Sequence, residues 1–154
     1  MTGDREQMKR VLKSVVVPKI RSLGFTGNFP HFRRKRGSER QMLMLMFNKY
    51  GGSFYLEAGR LSESDFLRLK ERWTAAGKAL SETSLSVGHC RWNQRVRLGS
   101  VSDQNTPDNW FVFGPDKYEG KTQGSADTTQ YAEIAMQVVK AIESQVERFF
   151  ANAP

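Results

Sequence analysis

The sequence predicts an α+β fold: a mostly antiparallel sheet of about five strands with three helices packed against it. Three observations carry that prediction. Apolar residues recur at helical spacing near both ends of the chain, period-two alternation fills the middle, and Gly51-Gly52 separates two strand-like runs.

Met8, Val11, Leu12, Val15 and Val16 share one helical stripe, with Arg5, Lys9, Arg10 and Lys13 on the other positions. Pro18 disfavours helical geometry in the residue before it, so a kink is expected there. The helix should then continue through Ile20 and Leu23 to a stop at Gly24.

From Phe29 to Arg60 the period is that of strands. His31 to Arg34 reads as a first strand and Lys35-Arg36-Gly37-Ser38 as a turn. Gln41 to Tyr50 and Ser53 to Arg60 then form a hairpin around Gly51-Gly52. Phe54, Leu56 and Ala58 share one face of the last run; Tyr55, Glu57 and Gly59 share the other. The run Met42-Leu43-Met44-Leu45-Met46-Phe47 is apolar on both faces, as a central strand covered on both sides would be.

Ser62 and Ser64 are N-cap candidates for a second helix, from about Asp65 to Ala79, with the stripe Phe66, Leu69, Trp73, Ala76 and Leu80. Arg91 to Leu98 reads as a strand with Trp92, Val96 and Leu98 on one face and Arg91, Arg95 and Arg97 opposite. Asn109 to Phe113 reads as a short aromatic strand, and Pro115 to Ser125 as loop. Asp127 to Phe150 is the clearest helix, with Ala135, Val138, Val139, Ile142, Val146, Phe149 and Phe150 on its apolar face.

At 154 residues, with neither a linker nor an internal repeat, the chain is expected to be one domain, 1–154. A chain of this size needs no metal or disulfide to fold, and Cys90 is its lone cysteine. No apolar run approaches the ~20 residues of a membrane span, and the polar start of the chain offers no secretory signal, so a cytoplasmic location is expected. Lysine and arginine total 24 against 16 acidic residues, a net charge of +8. Such a field attracts nucleic acid, anionic lipid and acidic proteins alike, and also promotes solubility.

A set of segments carries a family resemblance. Pro18 to Phe25 (PKIRSLGF), Phe32-Arg33-Arg34, Gln41 to Phe47 and Phe54 to Gly59 (FYLEAG) come first. His89-Cys90-Arg91-Trp92, Arg97-Leu98-Gly99 and Asp108-Asn109-Trp110-Phe111 follow. In order and spacing the chain resembles the bacterial domain-of-unknown-function family 4304. It departs from that pattern at Leu45-Met46-Phe47-Asn48, where an Asn-Phe-Gln-like triplet is usual, and in a longer loop after Phe113. The resemblance implies the fold and brings no catalytic residue with it.

Among residues that could do chemistry, His89 and Cys90 are adjacent, but neighbours on a strand point to opposite faces and cannot form a nucleophile–base pair. His31 could approach Cys90 only from another strand. Two distant histidines and one cysteine make no zinc set, and Gly51-Gly52 lacks the lysine and serine of a phosphate loop. The chain is therefore expected to be no enzyme and to carry neither cofactor nor metal.

The binding candidates are Arg33, Arg34, Lys35, Arg36 and Arg40 at a hairpin tip, and Arg91, Arg95 and Arg97 along a sheet face. These could hold phosphates, with Tyr55 or Trp110 stacking on bases, or could simply be solvated and paired with carboxylates such as Glu57. Met42, Met44 and Met46 could form an adaptable protein-binding surface or ordinary core, and Phe149 and Phe150 could pack internally or across a dimer. The reading placed first is a non-enzymatic protein-binding module using its basic face, of immunity or conflict-system type by analogy with other small bacterial domains. A nucleic-acid-binding module comes second and an enzyme centred on His31, His89 and Cys90 third. A monomer or homodimer away from membranes is expected.

Overall fold

The computed structural model describes residues 4–99, 110–116 and 128–152. The first apolar stripe becomes α1 (Asp4–Ser22), with Met8, Leu12, Val16 and Ile20 fully buried. Pro18 sits inside this helix without ending it. The helix closes where expected: Gly24, with φ of 92°, adopts the left-handed geometry of a C-terminal stop and its N–H donates to the Arg21 carbonyl.

An antiparallel sheet follows. Its strands are β1 (Thr26–Asn28), β2 (His31–Arg36), β3 (Glu39–Phe47), β4 (Gly51–Leu61), β5 (Arg95–Leu98) and β6 (Phe111–Asp116). β1 to β4 lie in chain order, and both β5 and β6 pair with β4. β5 lies opposite Leu56 to Gly59 and β6 opposite Gly51 to Phe54, so the two are halves of one edge strand interrupted between them.

Several expectations shift. β2 runs on through Lys35 and Arg36, leaving only Gly37-Ser38 as the turn, where Gly37 takes φ of 59°. Gly51-Gly52 opens β4 rather than turning the chain; Asn48 to Tyr50 make the turn. Gly52 is needed for another reason: a Cβ there would lie 2.6 Å from the Gly114 backbone, where the β4–β6 register shifts. Pro115 and Asp116 belong to β6, not to a loop; the rest of the predicted 115–125 loop lies outside the described residues.

The segment from Arg91 to Leu98 is not one strand. The Gln94 side chain accepts the Arg91 N–H at 2.7 Å and winds Trp92–Gln94 into a 3-10 turn, so pairing with β4 starts only at Arg95.

The final helix is α3 (Thr128–Ala141), a π turn at Ile142–Val146 and α4 (Glu147–Ala151) without a break. The π turn presents Gln145, whose amide accepts the Gly99 N–H at 3.1 Å and donates to the Gly99 carbonyl at 2.9 Å. Those are the backbone groups that lose ladder partners where the edge strand leaves the sheet. The wider π turn thus has a local task.

Two apolar layers sandwich the sheet. On the first face α1, α3 and α4 bury Phe32, Leu43, Leu45, Phe54, Leu56 and Phe111. On the second, α2 (Glu63–Ala75) and the segment after it cover Met42, Met44 and Leu61 with Phe66, Leu80, Leu85 and Val87. Ser62 caps α2 by accepting the Asp65 N–H at 3.1 Å, as expected. The helix stops at Ala75, short of the predicted Ala79, so Leu80 reaches the core from the following segment. That cover reaches only part of the second face, which decides where the candidate site lies.

Candidate functional site

Strand alternation divides the basic run. Arg34 and Arg36 face α4, where both pair with Glu147; Arg34 also donates to Gln41 Oε1 at 2.6 Å and to the Leu23 carbonyl at 2.7 Å. Arg33 faces the other way and donates to the Leu85 carbonyl at 3.0 Å. Arg40 lies buried between Glu63 and Glu82. The predicted cluster of cations at a hairpin tip is therefore an internal scaffold, in which only Lys35 and Arg36 are exposed. A cavity of about 220 Å3 beside Arg33 and Lys35 already has Glu82 in its lining, seated on Arg40, so it is no open anion cradle.

The histidines and the cysteine do not converge into a nucleophilic centre. His89 lies on a 3-10 turn (Val87–His89) with its ring against Trp73 at 4.8 Å, and its Nδ1 accepts the Ser86 N–H at 3.0 Å. Cys90 is buried against Gly59 with its Sγ 3.9 Å from the Arg60 carbonyl; burial pushes its thiol up to about 12. A thiol so held is not ionised at neutral pH and is a poor nucleophile. Among the described residues no group of three His, Cys, Asp or Glu could hold a metal, and no helix is long and apolar enough to cross a membrane.

His31 has its Nδ1 buried without a hydrogen-bond partner. Burial, then Arg33, then His89 hold it below the ordinary histidine range, and burial does the same to His89. Groups lowered in the folded state take up protons more readily when unfolded, so stability falls as pH drops through 6.5. Glu82 is held low by its bond to Arg40. Glu147 is also low, because Arg34 and Arg36 outweigh its burial. These two add stability that disappears only below pH 4.5. Urea midpoints across about pH 2–8 should therefore fall in two steps. His31→Leu should shrink the first step without lowering the midpoint at pH 7, since no hydrogen bond of Nδ1 is lost; an unchanged first step would refute the assignment.

The remaining part of the second face is open. Met46 and Tyr55 are cross-strand partners, and Val112 lies opposite Ser53. Val112 is 53% exposed and Met46 36%. The Tyr55 and Trp110 rings meet edge-on at 5.0 Å, and the Arg97 guanidinium stacks 3.8 Å over Tyr55. Arg95 lies 3.8 Å from the Glu57 carboxylate on the same face. The predicted arginine row is thus kept at Arg95 and Arg97. Arg91 is displaced from it by the 3-10 turn. Met42 and Met44 are core, and of the three methionines only Met46 reaches solvent. Phe150 is buried and Phe149 packs on it at 4.9 Å, so both serve the internal core.

Val112 and the outward Trp92 are surface features that sequence patterning assigned to strands. Trp92 misleads because the Gln94 bond that turns the chain is a side-chain event, invisible to periodicity.

The chain belongs to the DUF4304 family (domain of unknown function), whose model matches residues 16–152, from within α1 to the end of the last helix. No curated protein and no solved structure matches it.

Proposed function

We propose that this member of the DUF4304 family is a non-enzymatic recognition module that docks an acidic protein on the open half of its second sheet face. The observation that carries the reading is the surface formed by Met46, Tyr55, Trp110 and Val112 with Arg95 and Arg97 beside it. Methionine, tyrosine, tryptophan and arginine are the residues enriched where proteins bury one another's surfaces. A net charge of +8 makes an acidic partner the complementary one.

Nucleic acid is the less favoured partner. Phosphate tracking needs uninterrupted positive charge, whereas Glu39, Glu57, Glu63, Glu82 and Glu147 each sit within reach of the arginines they neutralise. Replacing Arg34 or Arg36 to probe nucleic-acid binding would strip Glu147 of its partners, so Arg33 and Lys35 are the positions for that test.

Selection of a displayed random-peptide library on the purified protein tests the proposal. The expected result is an acidic consensus with apolar side chains. Affinity for the synthesised peptide should fall by at least about tenfold in Met46→Asp/Val112→Asp, about 1.4 kcal/mol. Tight binding to labelled single-stranded RNA instead, weakened steeply by salt and by Arg33→Ala/Lys35→Ala, would replace the protein reading with the nucleic-acid one.

A further inference from the structure

Trp92 is 85% exposed, far more than the other large apolar side chains of the described surface. An exposed indole on a loose loop would mean little. This one sits on a turn held from two sides. Gln94 Oε1 accepts the Arg91 N–H at 2.7 Å, and Gln94 Nε2 donates to Asp65 Oδ2 at 3.1 Å. Asp65 is fixed in turn at the capped start of α2. Upstream, Cys90 is buried against Gly59 of β4 and the His89–Trp73 contact pins the chain to α2. The indole is therefore presented by a rigid frame, which lowers the entropy lost on binding.

Cations gather at the turn that carries it. A cleft between α2 and the turn is lined by Arg68, Arg72, Arg91, His89, Asp65 and Gln94. Among the described residues Arg72 and Arg91 have no ion-pair partner, and Arg68 reaches Asp65 only at 3.9 Å. Elsewhere in the fold Arg34, Arg40 and Arg60 are all neutralised, so these are cations the scaffold does not use.

We propose that the Trp92 turn is a preformed anchor that inserts the indole into an apolar pocket of an acidic protein, while Arg68, Arg72 and Arg91 meet carboxylates at the rim of that pocket. The proposal rests on the recognition reading above but not on the sheet-face patch. A protein fits better than a nucleic acid because the Asp65 carboxylate interrupts the arginines of the cleft: a phosphate track needs unbroken positive charge, whereas side-chain carboxylates can meet Arg72 and Arg91 one at a time. A buried aromatic ringed by charge pairs is also how strong protein hot spots are built.

The test uses the full chain labelled with 5-fluorotryptophan, whose Trp73, Trp92 and Trp110 signals are assigned by single replacement. Peptides from the display selection are titrated by fluorine NMR, and their affinities are measured against Trp92→Ala, Arg72→Glu/Arg91→Glu and Met46→Asp/Val112→Asp. The expected result is a shifted Trp92 signal, with affinity reduced at least about tenfold by each of the first two variants. Because these side chains are exposed, the variants should keep the wild-type circular dichroism and urea midpoint. Retained binding in Met46→Asp/Val112→Asp alongside that result would uphold the anchor and remove the sheet-face patch. The reverse pattern, or peptides that bind without moving Trp92, would overturn the anchor. So would a Trp92 signal moved by single-stranded RNA rather than by acidic peptides.

Discussion

Replacing Arg60 by leucine is expected to destabilise the domain by about 3–5 kcal/mol, the cost of breaking a buried ion pair from one side. Arg60 points into the first layer, where its guanidinium grips Glu39 Oε2 at 2.7 and 2.9 Å. The same group donates to the carbonyls of Phe149 at 2.9 Å, Asn152 at 2.7 Å and Phe150 at 3.3 Å. Those are the last carbonyls of the terminal helix, which have no helical N–H to accept from, and a cation also suits that end of the helix dipole. Leucine would fill much of the space and satisfy none of these groups. Glu39 would remain a half-buried carboxylate held only by Gln41 Nε2 at 2.7 Å. Urea unfolding at pH 7 measures the loss. Arg60→Lys should fall in between, because an ammonium keeps the charge but cannot span both the carboxylate and the helix end. A loss below about 1 kcal/mol for Arg60→Leu would mean the pair behaves as a surface one, and the scaffold assignment would fail.

That prediction extends along a relay. Glu39 accepts from Gln41, Gln41 accepts from Arg34, and Arg34 reaches both Glu147 and the carbonyl of Leu23 at the end of α1. Three strands and two helix ends are thereby tied through one line of polar side chains. Of the basic run that first suggests a ligand, Arg34 and Arg36 are taken up there, and Arg40 is taken up by Glu63 and Glu82. This bears on function: what remains for a partner is not the basic run but the cations left outside the relay.

The layered architecture was legible because it depends on periodicity. The stripe from Met8 to Ile20, the doubly apolar β3 and the alternation in β4 each follow from burial on known faces. Even the division of Arg33 from Arg34 is implicit in a period of two. The partners are not: Glu147 lies 113 residues from Arg34, and nothing local in the sequence couples them. β1 was equally hidden, since Thr26-Gly27-Asn28 carries no apolar alternation and is a strand only because β2 supplies its partner. The second half of the edge strand could be read as a strand, but its alignment with the first could not. Each half is placed by its own pairing with β4, and the Gln145 amide, which a π turn aims at Gly99, holds the end of the first. For the candidate surfaces the residue types were visible, and their exposure was not. Trp92 and Val112 are apolar residues in strand-like runs, and only the three-dimensional path of the chain places them in solvent.

The lone cysteine, which a reactivity argument would single out, has a packing role that a double-mutant cycle can isolate. Gly59 lies in β4 beneath the 3-10 turn, and a Cβ there would come 2.8 Å from the Cys90 Sγ and 3.4 Å from Val87. Real side chains do not approach so closely in a core at crystal-like density, so the turn would have to lift from the sheet. Gly59→Ala is therefore expected to cost about 2–3 kcal/mol, at the upper end of ordinary overpacking. Cys90→Ala alone leaves a small void and should cost about 1 kcal/mol. Combined, the two changes exchange one volume for the other. The double variant should lie closer to wild type than the sum of the singles, with a favourable coupling of at least about 1 kcal/mol. Additive costs would show that the glycine is needed for some other reason, and would reopen the question of what the thiol does. The cycle also reports on the candidate anchor. The strain at Gly59 bears on the same turn that carries His89 and leads into Trp92, so Gly59→Ala should weaken peptide binding at Trp92 and Cys90→Ala added to it should restore that binding.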